Sequence, residues 1–149
     1  MAIFQKTMDN LEISEAPFEK VFSEKAVRVG TFLGGPLVAG YLMAENFKAF
    51  NETEKANNTW IISIVSSIVI FAGLFLLPFS EKIPNLVIPL ASTAVVSYLV
   101  QKYQGRQIQS HVTLGGQTFG WWRVIIISLI GLAVTILPII FYSVLWEVV

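Results

Sequence analysis

Few residues in this sequence have the types and spacing that catalysis or ligand binding needs. The only histidine, His111, lies in the segment QSHVTLGG, and there is no cysteine. One histidine without cysteines or an acidic cluster does not make a metal site, and its neighbour Ser110 does not make a hydrolase dyad. Gly115 and Gly116 lack the Gly-Lys-Ser/Thr that completes a phosphate loop. We therefore predict a solvated loop histidine and no catalytic residue, metal or cofactor.

The long apolar stretches contain no ionisable side chain. They run from Val29 to Ala44, Thr59 to Ser80, Ile83 to Gln101 and Val124 to Trp146. Proton relays, ion pathways and intramembrane catalytic sites normally need such groups, so an enzyme or a proton-coupled carrier is not expected. Serines within the stretches, such as Ser63 and Ser92, usually bond to their own backbone or a neighbouring helix. A neutral permeation path along them is the alternative.

The segment FLGGPLVAGYLM is the sharpest local feature. Its candidate interaction residues are Gly30, Gly34, Gly35, Pro36 and Gly40. Small residues let helices approach closely, and Pro36 removes a backbone hydrogen bond and favours a kink. We interpret the segment as a helix-packing surface, within the bundle or against a partner. A broken helix that coordinates an ion or substrate is the alternative.

Composition places these stretches in a membrane. Of 149 residues, 54% are hydrophobic and 13% charged, and mean hydropathy is +0.67. Ten basic residues balance ten acidic ones, so there is no net basic field to hold nucleic acid. The first 25 residues are too polar for a cleavable signal peptide. The bilayer itself is the first expected partner.

The predicted fold is an all-α integral membrane four-helix bundle, preceded by a short interfacial helix. Residues 1–22 form a polar, amphipathic segment in which Phe18, Val21 and Phe22 have helical spacing. Residues 23–149 form one transmembrane domain, with spans at about 24–48, 59–79, 83–102 and 120–147. Pro84 is expected to open the third helix after the short turn Phe79–Lys82.

Four crossings would place both termini and the Phe79–Lys82 turn on one side. Lysine and arginine then divide five to five between the two sides, and the flank before the first span slightly favours cytoplasmic termini. GYLMAENFKAF from Gly40 resembles SYLVQKYQGRQ from Ser97, and each precedes a tryptophan that opens an apolar helix. Two repeated helical hairpins are therefore an alternative organisation.

The run SEKAVRVGTFLGGPLVAGYLMAENFKAF, together with GGQTFGWWRV, resembles segments of small uncharacterised polytopic membrane proteins of bacteria, of the Bacteroidetes type. The resemblance covers the first span and the start of the fourth. It implies a bacterial cytoplasmic (inner) membrane and brings no activity or site residues.

We expect a small non-enzymatic membrane protein, an accessory or stabilising subunit of a larger complex or a homo-oligomer. Its contact surfaces would be the glycine-lined face of the first span and the loop from Lys102 to Gly120. Other membrane subunits or further copies of the chain would be its partners, and nucleic acid would not. An oligomeric transporter or channel for neutral or lipidic solutes is the alternative.

Overall fold

A computed structural model of the protein describes residues 1, 19–76, 84 and 86–148. The described part is all-α, with five helices. These are α1 (Glu24–Ala49), α2 (Thr53–Leu76), α3 (Val87–Tyr103), α4 (Gly105–Thr113) and α5 (Trp121–Val148). The predicted turn Phe79–Lys82 and residues 2–18 lie outside the described residues.

Helix α1 is not straight, because the chain reverses within it. Gly35 has φ 74° and ψ −167°, a conformation incompatible with a helix. Phe22 N donates a 2.6 Å hydrogen bond to Asn46 Oδ1, and Asn46 Nδ2 donates a 2.9 Å bond to Phe22 O. In a continuous helix, residues this far apart in sequence would be about 36 Å apart. The two arms of α1, residues 24–34 and 36–49, therefore form an antiparallel hairpin with its tip at Gly35.

This hairpin is the centre of the fold. Helices α2, α3 and α5 each pack against α1, whereas no comparable packing joins these three helices to one another in the described residues. The main core cluster joins the two arms to α3, α4 and α5; its fully or nearly fully buried members include Val27, Leu42, Val100 and Val124. The outer faces of α2 and α5 are apolar and exposed.

Both ends of the α1 hairpin lie at one end of the molecule, which we call the clamp end. It also contains the start of α2, the end of α3, the whole of α4 and the start of α5, as the contacts of Gln104 and Phe119 with residues beside the hairpin ends show. From the clamp end, α2 and α5 run away and α3 returns. The described chain thus enters at the clamp end and finishes at the opposite end.

Several sequence expectations change as a result. The helix bounds 24–49 agree with the predicted first span, but the reversal means that this segment does not run from one end of the molecule to the other. The suggested repeat fails in its packing, because arm 36–49 packs closely on α2 whereas α3 and α5 do not pack together in the described residues.

The ends of other elements differ as well. Val21 and Phe22 are buried and non-helical, since Val21 N donates to Gln117 O (3.2 Å) and Phe119 N donates to Val21 O (2.9 Å). An interfacial helix is therefore wrong for these two residues. Helix α3 begins at Val87, three residues after Pro84, whose carbonyl accepts from Val87 N at 2.9 Å.

Three helices in the described residues are long and apolar enough to cross a membrane. They are Glu24–Ala49, Thr53–Leu74 and Trp121–Phe141. The length and composition of Glu24–Ala49 do not reflect the reversal at Gly35. Neither arm of α1 reaches the roughly 20 residues that a crossing helix needs.

Gly35→Ala is predicted to destabilise the protein by about 1–3 kcal/mol, because this backbone conformation is essentially restricted to glycine. A Cβ at Gly35 would meet no atom within 4 Å, so conformational strain is the expected cause. Chemical unfolding in mild detergent measures the loss. The control is Gly120→Ala, where a Cβ also meets nothing within 4 Å and no positive φ occurs. Equal stability of the two variants would contradict this assignment.

Candidate functional site

The hairpin tip and the two grooves beside it are the features most able to contact another molecule. The tip is formed by Gly34, Gly35 and Pro36. It is partly enclosed by α5, since a Cβ on Gly34 would lie 3.1 Å from Ser128 O and one on Gly131 would lie 3.6 Å from Gly34 O. The backbones of the tip and of α5 pack closely together. This packing covers part of the irregular tip, which could not face lipid.

The glycines singled out from the sequence do not form one surface. Gly30 faces the other arm, where a Cβ would be 2.5 Å from Leu42 Cδ1, and Gly34 faces Val38 and α5. Gly40 faces α2, with Ser63 in direct contact. Pro36 and Gly40 also line the α2–α3 groove. These glycines thus serve contacts within the chain, whatever further contacts the molecule makes.

A buried polar cluster, the clamp, ties the two ends of the hairpin to α3. Asn46 and Gln104 are both fully buried. Besides its bonds to Phe22, Asn46 donates from Nδ2 to Gln104 Oε1 at 3.2 Å, and Gln104 Nε2 donates to Met43 O at 2.7 Å. Sequence reasoning missed both residues, although two uncharged amides beside apolar helix ends were a usable signal.

His111 is buried on α4, only 6% exposed, and the expectation of a solvated loop histidine is wrong. Its Nε2 lies 3.2 Å from Gln117 O, and its ring stands edge-on to Phe50 with centroids 6.3 Å apart. Helix α4 was missed in the segment predicted as a loop from Lys102 to Gly120. The histidine holds the 114–117 turn against α4, and no group of three potential metal ligands occurs in the described residues.

Two apolar grooves run between the outer helices. The α2–α3 groove, about 700 Å³, has arm 36–49 as its floor. The α2–α5 groove, about 640 Å³, lies beyond the hairpin tip and contains Leu37, Ser67 and Thr135 but no charged residue. Both open sideways, because in the described residues the outer helices pack mainly against the hairpin.

The buried hydroxyls do not form a polar path through the molecule. Ser67 Oγ donates to Ser63 O (2.8 Å), Ser128 Oγ to Val124 O (2.8 Å) and Thr31 Oγ1 to Val27 O (2.7 Å). Each is satisfied by its own helix, as the packing interpretation expects. Ser66 and Ser92 face the α2–α3 groove among apolar neighbours.

No protein family, curated protein or solved structure matches this chain.

Asn46→Ala is predicted to lower the free energy of unfolding by about 1–3 kcal/mol, since it removes the partner of buried Gln104 Oε1 and the partners of the Phe22 backbone N–H and C=O. Chemical unfolding in detergent measures this, with Asn57→Ala on the exposed surface of α2 as the matched control. Should both variants unfold like the parent protein, the clamp would not hold the hairpin ends together.

Proposed function

We propose that this chain is a non-enzymatic integral membrane protein in which α2, α3 and α5 cross the bilayer around a half-depth hairpin. The lengths of α2 and α5 and their exposed apolar faces support the crossings. Helix α3 has 17 residues, about 26 Å of helix, close to the ~30 Å hydrocarbon layer. The irregular backbone at Gly35 is half-buried, and α5 packs closely on the neighbouring Gly34. Re-entrant segments keep irregular backbone against protein in this way.

The reversal also changes how lysine and arginine divide between the two sides, and the new division favours one orientation. Eight of the ten lysines and arginines belong to described segments at the clamp end: Lys20, Lys25, Arg28, Lys48, Lys55, Lys102, Arg106 and Arg123. The other two, Lys6 and Lys82, lie outside the described residues. Because short cytoplasmic segments are enriched in basic residues, we place the clamp end in the cytoplasm. The C-terminus then lies on the opposite side, in place of two cytoplasmic termini.

The absence of cysteine in the chain makes this topology directly testable. In sealed cells, a membrane-impermeant maleimide is expected to label a cysteine appended after Val149. Asn51→Cys and Gln109→Cys, both at exposed positions of the clamp end, should react only after permeabilisation. Labelling of all three from outside would refute the odd number of crossings, and labelling of the clamp-end pair alone would reverse the orientation.

The observation that supports an accessory role is that the helix bundle is incomplete beyond the hairpin tip. Beyond the hairpin tip, the described parts of α2, α3 and α5 have no central element between them, and the α2–α5 groove stays open sideways. Helices associate in lipid through shape and close packing, so an unfilled uncharged groove suits an apolar helix of another subunit or of a second copy. We propose that the protein stabilises a larger membrane assembly through this groove.

Purification from the native membrane in mild detergent, followed by mass determination, tests this role. A stoichiometric partner, or a second copy of the chain, is expected to co-migrate. Ala72→Phe, which places a ring in the α2–α5 groove, should reduce co-migration. Val69→Phe, at an exposed position of the same helix that lines neither groove, should not. A monomer without partners, or equal behaviour of both variants, would count against the accessory role.

Handling of a lipidic solute is the second candidate, favoured by the α2–α3 groove. That groove is open to the side and apolar along most of its length, with polar residues at the clamp end. A hydrophilic solute fits poorly, because the buried hydroxyls are bonded to their own helices. A purely monomeric protein that moves labelled lipid between leaflets in vesicles would support this candidate over the first.

A further inference from the structure

The α2–α3 groove is built from three helical faces, each with residues at helical spacing. Its floor is residues Pro36, Ala39, Gly40, Met43 and Phe47 of α1. Its walls are Lys55, Asn58, Thr59, Ile62, Ser63, Ser66 and Ile70 of α2, and Ala91, Ser92, Val95, Val96, Leu99 and Tyr103 of α3. The groove therefore follows the helix direction from the clamp end to the depth of the hairpin tip.

The dimensions suit an extended apolar chain. From Lys55 to Ile70 the wall on α2 rises about 22 Å, which exceeds the ~15 Å hydrocarbon depth of one leaflet. A volume of about 700 Å³ is within the usual range for small-molecule sites. A slender acyl chain fits these dimensions.

The mouth of the groove is polar and carries a net positive charge. Lys55 Nζ pairs with Glu52 Oε1 at 2.8 Å, and Lys102 Nζ stands 5.6 Å from the ring centroid of Tyr103, a groove residue. The hydrogen bond from Lys55 lowers the pKa of Glu52, which stays ionised. Two lysines against one carboxylate leave one positive charge. Glu54 points about 100° away from Lys55 around α2.

We propose that the α2–α3 groove binds one anionic phospholipid of the cytoplasmic leaflet. Its phosphate would lie beside Lys55, Asn58 and Tyr103, and one acyl chain would extend past Ser66 and Ser92 to Pro36. The cytoplasmic leaflet is where anionic lipids concentrate in many membranes, and lysines near the surface attract them. This site rests on the proposed orientation of the clamp end but not on the accessory role, since the partner groove lies between α2 and α5.

Native mass spectrometry of the full chain, reconstituted in vesicles of equal phosphatidylglycerol and phosphatidylcholine and extracted in mild detergent, tests the site. About one phosphatidylglycerol per chain is expected to remain bound. Ala91→Phe fills the groove and should lower this occupancy about tenfold, whereas Ala94→Phe, on an exposed position of α3 outside the groove, should leave it unchanged.

A second pair of variants tests how charge at the mouth of the groove contributes to lipid binding, separately from the shape of the groove. Lys102→Ala should reduce the preference for phosphatidylglycerol over phosphatidylcholine roughly fivefold, and Arg106→Ala on the exposed surface of α4 serves as its control. No retained lipid, equal occupancy in the Ala91 and Ala94 variants, or a protein helix found in the groove would overturn the proposal. Loss of lipid with an intact partner complex would leave the accessory role standing.

Discussion

The reversal of the chain at Gly35 is the constraint on which the rest of the structure depends. It brings the two ends of α1 together, so that Asn46 can hold Phe22 and meet Gln104. Among the described residues, it also leaves no central element beyond the tip. Local backbone geometry at one residue thereby determines both the buried polar cluster at one end and the open grooves at the other.

The sequence predicted the helical class and most helix positions because long apolar stretches have few alternatives. It also predicted a disturbance at Pro36, since proline cannot continue a helix without loss of a hydrogen bond. It did not predict the reversal. Hydropathy is summed over a window and treats residues 24–48 as one segment, whereas the fold-back is stabilised by Asn46 contacting a residue 24 positions earlier.

At the candidate site too, local sequence patterns were informative, whereas contacts between residues distant in sequence could not be predicted. The glycine pattern predicted close contacts, but the sequence could not say that Gly40 meets Ser63 on α2 while Gly34 meets α5. Helix α4 was missed because it has only nine residues, and only Ile108 and His111 are buried there. Extended pairing of Val21 with the segment before α5 is equally a tertiary effect.

The half-depth hairpin also gives the molecule unequal halves. On the clamp side of the tip, a cross-section through the described residues cuts two hairpin arms as well as α2, α3 and α5. Beyond the tip, it cuts only those three of the described helices. Each helix occupies a disc about 10 Å across. In a bilayer, the protein would therefore displace more lipid area from one leaflet than from the other. A protein with this wedge shape would concentrate where the membrane is curved, whether or not a partner is bound.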